Sequence, residues 1–407
     1  MSDPQISLDP QSRIVGLDAL RGIAVAGIAV MNVIAFAMPP AAYINPRAWG
    51  GEGPVETALW AASFLLIEDK FRALFAMLFG AGVAILLSRE SRHPLRDHYA
   101  RMAVLLVIGL LHALLISNNE VLRIYAIAGL VLPFAMRLSA RWLVIAAAAI
   151  MAAQLALSGW VAWQWLYYWW CMLSGEAVDP QWWQQAERSF GADPDMLAAA
   201  LERGRESFAE RIERRLTDWM TPLNFVLASL PSALAAMLLG MALWKAGLLA
   251  GHWERADALR LWRNCALIAV PVLVAMCVWD IASGFDPIVT AGNGLVWSAP
   301  FDLVLAVGYA ALAMAVLSRA PFKRLAATGR MALTNYLGTS VIFAAMFAAW
   351  GLGLYGEVKR TEALLLTLVP IALMLTLSPF WLRRFRQGPA EWAWRSAAQG
   401  RMLPFRR

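Results

Sequence analysis

The stretch 142–163 reads WLVIAAAAIMAAQLALSGWVAW and contains no charged residue. As an α-helix, about 20 residues rising 1.5 Å each reach roughly 30 Å, enough to cross the hydrocarbon core of a bilayer. Similar runs recur at about 14–38, 71–87, 102–117, 121–137, 223–244, 261–281, 297–317, 331–355 and 363–382. They are continuously apolar rather than alternating, which argues against a β-barrel. The pattern predicts an all-α fold: a polytopic transmembrane helix bundle of about ten spans. A further apolar piece, 55–67, precedes the second run and reads as an interfacial or re-entrant helix.

Composition agrees. Of 407 residues, 60% are hydrophobic and 15% charged, with a mean hydropathy of +0.56. A soluble domain carries about 25% charged residues, so no part of the chain reads as an independent soluble enzyme. The net charge of +7 does not call for nucleic acid, because the cations lie in short segments between spans. Arg89, Arg92, Arg96 and Arg101 follow the second run, Arg137 and Arg141 the fourth, Lys245, Arg255, Arg260 and Arg263 the sixth, and Arg319, Lys323, Arg324 and Arg330 the eighth. The intervening short loops are poor in Lys and Arg. This alternation predicts an even number of spans with both termini in the cytoplasm of a bacterial inner membrane. The first run lacks a small-residue cleavage site and does not read as a cleavable signal peptide.

The expected organisation is an N-terminal transmembrane half over 1–170, an extracytoplasmic helical loop over 171–222, a C-terminal transmembrane half over 223–382, and a basic cytoplasmic tail over 383–407. The loop carries ten acidic residues and six arginines, many at helical spacing. It reads as one or two amphipathic helices that form either a solvated cap or a lid over a site between the spans. Trp160, Trp163, Trp165, Trp169, Trp170, Trp182 and Trp183 cluster near its start. They suit an aromatic belt at the headgroup level or, alternatively, a sugar-stacking platform.

Ionisable and polar groups inside spans are expensive and therefore mark candidate sites. His112 is the one histidine placed inside a span, near the outer end of the third. His93, His98 and His252 fall in segments read as cytoplasmic loops. Imidazole titrates near neutral pH, which suits a general base; the alternative is a histidine hydrogen-bonded between helices. Glu120 follows in a tight turn with Asn119 and Arg123. If the helix ends near Ser117, that turn can fold the carboxylate back onto His112; otherwise Glu120 and Arg123 form a surface pair. Lys70 and Arg72, beside Glu68 and Asp69, open the second span, and Asp302 lies inside the eighth. Asp18 and Arg21 share one face at the cytoplasmic start of the first span, where they can pair or anchor a phosphorylated ligand; Asn32 lies further along it. Gly80 and Gly82 permit close helix approach. The cysteines Cys171, Cys265 and Cys277 form no CxxC motif, and no HExxH, GxSxG or nucleotide-binding glycine loop occurs. No metal is implied and no cofactor is expected to be tightly bound.

Several segments carry a resemblance: RIVGLDALRGIAVAGIAVMNV, EDKFRALFAMLFGAGVAIL, GLLHALLISNNEVLRIYAIAGL, GRMALTNYLGTSVIF and GPAEWAWRS. In this order, from about 14 to 396, they resemble the YeiB-type bacterial membrane proteins, whose C-terminal half is the domain of unknown function 418. Where that family has a Gly-Asp pair, this chain has Asn119-Glu120. The family is similar in turn to the transmembrane acyltransferase superfamily, which includes the acyltransferase-three proteins and the heparan glucosamine N-acetyltransferases. That resemblance implies acyl transfer from cytoplasmic acyl-CoA, a co-substrate, to an envelope glycan or other outer-face acceptor, with His112 as the base and Glu120 orienting it. Membrane lipids are the expected surroundings. A transporter or permease lined by the same polar residues is the alternative. The sequence leaves the oligomeric state open.

Overall fold

The computed structural model describes residues 10–88, 93–117, 121–218, 220–317 and 322–407. Among these the fold is helical, and the strand-like pairing is an isolated bridge between Phe385 and Arg406. The first half comprises α1 (Pro10–Ala37), α2 (Ala41–Ile44), α3 (Pro54–Leu66), α4 (Lys70–Leu87), α5 (Pro94–Leu115), α6 (Leu122–Gly129), α7 (Leu132–Ala135) and α8 (Ala140–Leu173). Three amphipathic helices follow: α9 (Gln181–Phe190), α10 (Pro194–Gly204) and α11 (Phe208–Thr217). The second half comprises α12 (Met220–Lys245), α13 (Arg255–Ala282), α14 (Pro287–Gly292), a π-helical turn (Asn293–Trp297), α15 (Ala299–Leu317), α16 (Lys323–Arg330), α17 (Ala332–Phe347), α18 (Arg360–Leu366), α19 (Leu368–Arg384) and α20 (Pro389–Gln399).

Eight stretches of the described residues are long and apolar enough to span a bilayer, which makes this a polytopic helical bundle. The other two of the ten expected runs form shorter helices. The fourth breaks into α6 and α7, and Pro133 sits inside α7, where its ring removes a backbone donor. The ninth is helical only over α17, which ends at Phe347; at Ala348 the backbone becomes extended and the rest of the run forms turns. The apolar piece 55–67 becomes α3, which Asp69, at φ 55°, turns into α4. That left-handed conformation is disfavoured for a residue with a Cβ and so marks a constrained corner.

The bundle has two distinguishable ends. At the cap end, α9 packs on α14 and α11 on α5. At the tail end, α20 packs on α5, and Trp394 donates to the Arg101 carbonyl at 2.8 Å. There the carboxylate of Glu391 accepts from the backbone N–H groups of Leu333 (2.7 Å) and Thr334 (3.1 Å). It satisfies donors that the first turn of α17 leaves open. This joins the GPAEWAWRS and GRMALTNY segments into one structural unit. The exposed rings of Trp160, Trp163 and Trp170 line one helix, α8, as an aromatic belt would.

Helices meet most closely where glycine removes a side chain. A Cβ on Gly240 of α12 would lie 1.8 Å from the Met77 carbonyl oxygen of α4, and one on Gly80 2.1 Å from that of Met237. The contact is reciprocal, so the two backbones touch. Gly82 makes no such crossing; a Cβ there would meet only the Arg21 guanidinium, at 3.8 Å. Gly240→Ala is therefore expected to destabilise the protein by about 1–3 kcal/mol through overpacking. Gly338→Ala, in α17 with no atom within 4 Å of the added Cβ, is expected to leave stability unchanged or raise it by about 0.5–1 kcal/mol. Thermal unfolding of the two variants in detergent checks the contrast.

Candidate functional site

His112 lies in the last turn of α5, at the cap end, and is buried. The helix stops just beyond it: the N–H groups of Ile116 and Ser117 both donate to the His112 carbonyl, at 2.9 and 3.0 Å. Neither ring nitrogen has a hydrogen-bond partner among the described residues. The ring packs on Tyr336 of α17, with centroids 5.6 Å apart and planes tilted by 44°. The Tyr336 hydroxyl in turn receives the Val121 N–H at 3.4 Å. Arg123, buried in α6, and Arg215, from α11, are the cations whose fields reach the ring. The structure thus brings His112 and Arg123 together. Asn119 and Glu120 lie outside the described residues.

Arg215 fixes the cap to this turn. Its guanidinium donates to the carbonyls of Leu114 (2.9 Å) and Ile116 (3.1 Å), which are open acceptors at the C-terminus of α5. Beside it opens a cavity of about 260 Å³. Ile116 and Ser117 form one side of the cavity; Phe36, Ala344 and Phe347 form an apolar wall; Arg203, Arg211, Arg214 and Arg215 line it from α10 and α11. The two cap helices therefore cover a recess beside the imidazole. His112 itself does not line that recess; Ile116 and Ser117, about one turn further along the chain, do.

A second constellation stands at the junction of α3 and α4. Lys70 and Asp302 form an ion pair at 2.6 Å, with both side chains at least nine-tenths buried. The Lys70 ammonium also donates to the Phe64 carbonyl and lies 5.4 Å over the Phe64 ring. Asp69 pairs with Arg72, whose carbonyl accepts the Tyr125 hydroxyl at 3.0 Å. Arg360, fully buried at the start of α18, donates to the Ala42 carbonyl and acts electrostatically on Glu68. Sequence reasoning found Lys70, Arg72 and Asp302 because they interrupt apolar runs. It missed Arg360, which stands at the edge of a run and looks like an ordinary flanking charge.

Asp18 and Arg21 do pair, at 2.7 Å, but at the tail end, away from His112; Arg330 and Arg395 add their fields there. Asn32 is half-buried on α1 and makes no side-chain hydrogen bond among the described residues. His98, expected in a loop, instead sits inside α5, fully buried, with Nε2 2.8 Å from the Gly129 carbonyl oxygen. Unlike His112, it has one ring nitrogen at hydrogen-bond distance from a carbonyl. Asp280 accepts from Asn293 of the π-helical turn at 2.8 Å, an arrangement that the sequence did not suggest. No group of three or more His, Cys, Asp or Glu side chains suited to a metal occurs among the described residues. A larger cavity, about 560 Å³, lies at the tail end between the α12–α13 loop and α15. It shares no lining residue with the cap-end recess.

Comparison with known proteins places this architecture. The chain is 32% identical to a protein of Escherichia coli K12 called uncharacterized protein YeiB, over 94% of this chain and 95% of that one. It is 30% identical to uncharacterized protein YxaH of Bacillus subtilis 168, over 96% of each. The chain belongs to the YeiB family. Residues 243–401 match the family described as protein of unknown function DUF418; this segment holds Asp302, Tyr336, Arg360 and Glu391 of the YeiB fold. No solved structure matches the chain.

Removing one member of the Lys70–Asp302 pair leaves a buried charge without its partner. Lys70→Met is expected to destabilise by about 3–5 kcal/mol. Lys70→Met with Asp302→Leu is expected to recover most of that loss, because no uncompensated charge remains. Unfolding of the single and double variants in one detergent measures the coupling.

Proposed function

We propose that this protein is a membrane O- or N-acyltransferase of the bacterial inner membrane, with both termini in the cytoplasm. It moves an acyl group from acyl-CoA to an outer-face acceptor such as an envelope glycan. The observation that carries this reading is the bare imidazole: His112 is buried, its ring nitrogens have no partner among the described residues, and a recess lies about one turn away. A buried polar group without a partner is costly, and a substrate hydroxyl or amine supplies the missing partner.

In this reading the acceptor O–H or N–H points at one ring nitrogen of His112, which takes the proton as the acceptor atom attacks the thioester carbonyl. The new C–O or C–N bond forms, the C–S bond breaks, and CoA leaves as a thiolate that recovers a proton. Tyr336 holds the ring from the side. Asp18 and Arg21 stand at the tail end, where the CoA phosphates would arrive.

The transporter or permease reading draws on a different observation: two cavities at opposite ends with no shared lining residue, and a buried ion pair in the bundle. Acyl transfer needs a route for the pantetheine arm from the tail end to His112.

Purified protein supplied with labelled acetyl-CoA and envelope extract decides between them. Acyl transfer predicts CoA release that falls about 10²–10⁴-fold in His112→Ala. Unchanged release in that variant removes His112 from the mechanism. Absence of turnover and binding with every short acyl-CoA favours the permease.

A further inference from the structure

The cap-end recess is lined by four arginines on one side and by apolar residues on the other. The arginines are not equivalent. Arg214 forms a two-point hydrogen-bonded pair with Glu206, at 2.7 and 2.8 Å. Arg215 is held by the α5 carbonyls, although its buried Nε has no partner among the described residues. Arg203 donates through Nε to the Ala199 carbonyl at 3.1 Å. Arg211 is half-buried and donates its side chain to no acceptor among the described residues.

Glu206 is the acid whose field reaches both Arg211 and Arg215, and it is already engaged by Arg214. Burial, with the Arg211 and Arg214 charges beside it, pushes Arg215 down to about 10. Burial likewise lowers Arg211. Cations are therefore crowded against one another in a recess that excludes much of the solvent. Such an arrangement destabilises the empty protein and is relieved by an anion.

We propose that this recess is a binding site for a phosphate-bearing ligand, a phosphomonoester or phosphodiester, gripped by Arg211 and Arg215. Several guanidinium groups converging on one space match the multiple oxygens of phosphate better than the two of a carboxylate. The wall of Phe36, Ala344 and Phe347 takes the ligand's apolar portion. The shared chemistry admits two sources: a lipid headgroup entering from the membrane or a soluble phosphate ester entering from the cap side. The site does not depend on acyl transfer and would serve a permease equally.

The test uses full-length protein in phosphatidylcholine nanodiscs. In one arm glycerol phosphate is titrated; in the other phosphatidylglycerol replaces part of the phosphatidylcholine. Thermal unfolding is read in both. The proposal expects the melting temperature to rise in at least one arm, by mass action on the folded state, and the arm that responds identifies the source. Arg211→Gln separates binding from folding. Because Arg211 has no acceptor to lose among the described residues, that variant should melt at or above the ligand-free wild type. It should need at least about tenfold more anion for the same shift, the loss of one charge-assisted contact. Arg188→Gln, an exposed position on α9, should respond like the wild type. No shift in either arm overturns the proposal, as does an Arg211→Gln variant that keeps the full response.

Discussion

A charge carried into an apolar bundle must be answered within reach of its own side chain. Lys70 and Asp302 answer each other, and the geometry around them follows from that requirement. For the ammonium to reach Asp302, α4 must begin at Lys70, and Asp69 adopts a left-handed conformation to turn the chain there. That corner lets α3 double back beside α13 and brings Asp69 against Arg72. Desolvating two charges costs several kcal/mol per ion, and mutual attraction offsets this only when contact is close. The pair thus specifies how α4 and α15 register more than it adds stability. The reciprocal contact of Gly80 and Gly240 then fixes α12 against α4 on another side.

Against that background His112 is an exception. His98, on the same helix, is equally buried and finds a carbonyl. The ring of His112 has a tyrosine beside it and two arginines acting on it, but no hydrogen-bond partner among the described residues. Of the two buried histidines among the described residues, His112 alone has neither ring nitrogen hydrogen-bonded, and that is the opening the proposed acceptor fills. The cap helices point the same way. Two of the arginines on α10 and α11 are engaged with Glu206 and with α5, while Arg211 lines the recess with no side-chain acceptor among the described residues.

Much of the fold was legible, because lipid demands continuous apolar runs and those runs are unmistakable in sequence. The boundaries were less so. Pro133 and the extended backbone at Ala348 shorten two helices within runs that read as continuous in sequence. In the site, Lys70, Asp302 and His112 stood out as polar residues in apolar surroundings, but their partners come from distant segments and no spacing rule connects 70 with 302. The spacing of Arg211, Arg214 and Arg215 looks like that of any solvated amphipathic helix. Only the docking of α11 on the end of α5 turns their side chains over a recess. Glu391 was hidden for the same reason, since its partners Leu333 and Thr334 lie in another motif.

The central claim is that a ligand entering by the arginine-lined recess reaches the buried His112 side chain about one turn beyond the recess wall. It is tested most directly by placing a cysteine at position 112 in a chain whose Cys171, Cys265 and Cys277 have been replaced. The rates of modification by small membrane-impermeant thiosulfonates are then compared, one anionic and one cationic. The account predicts modification from the cap side alone, faster with the anionic reagent because of the arginines that flank the path. Modification solely from the tail side, or a faster reaction with the cationic reagent, would contradict it.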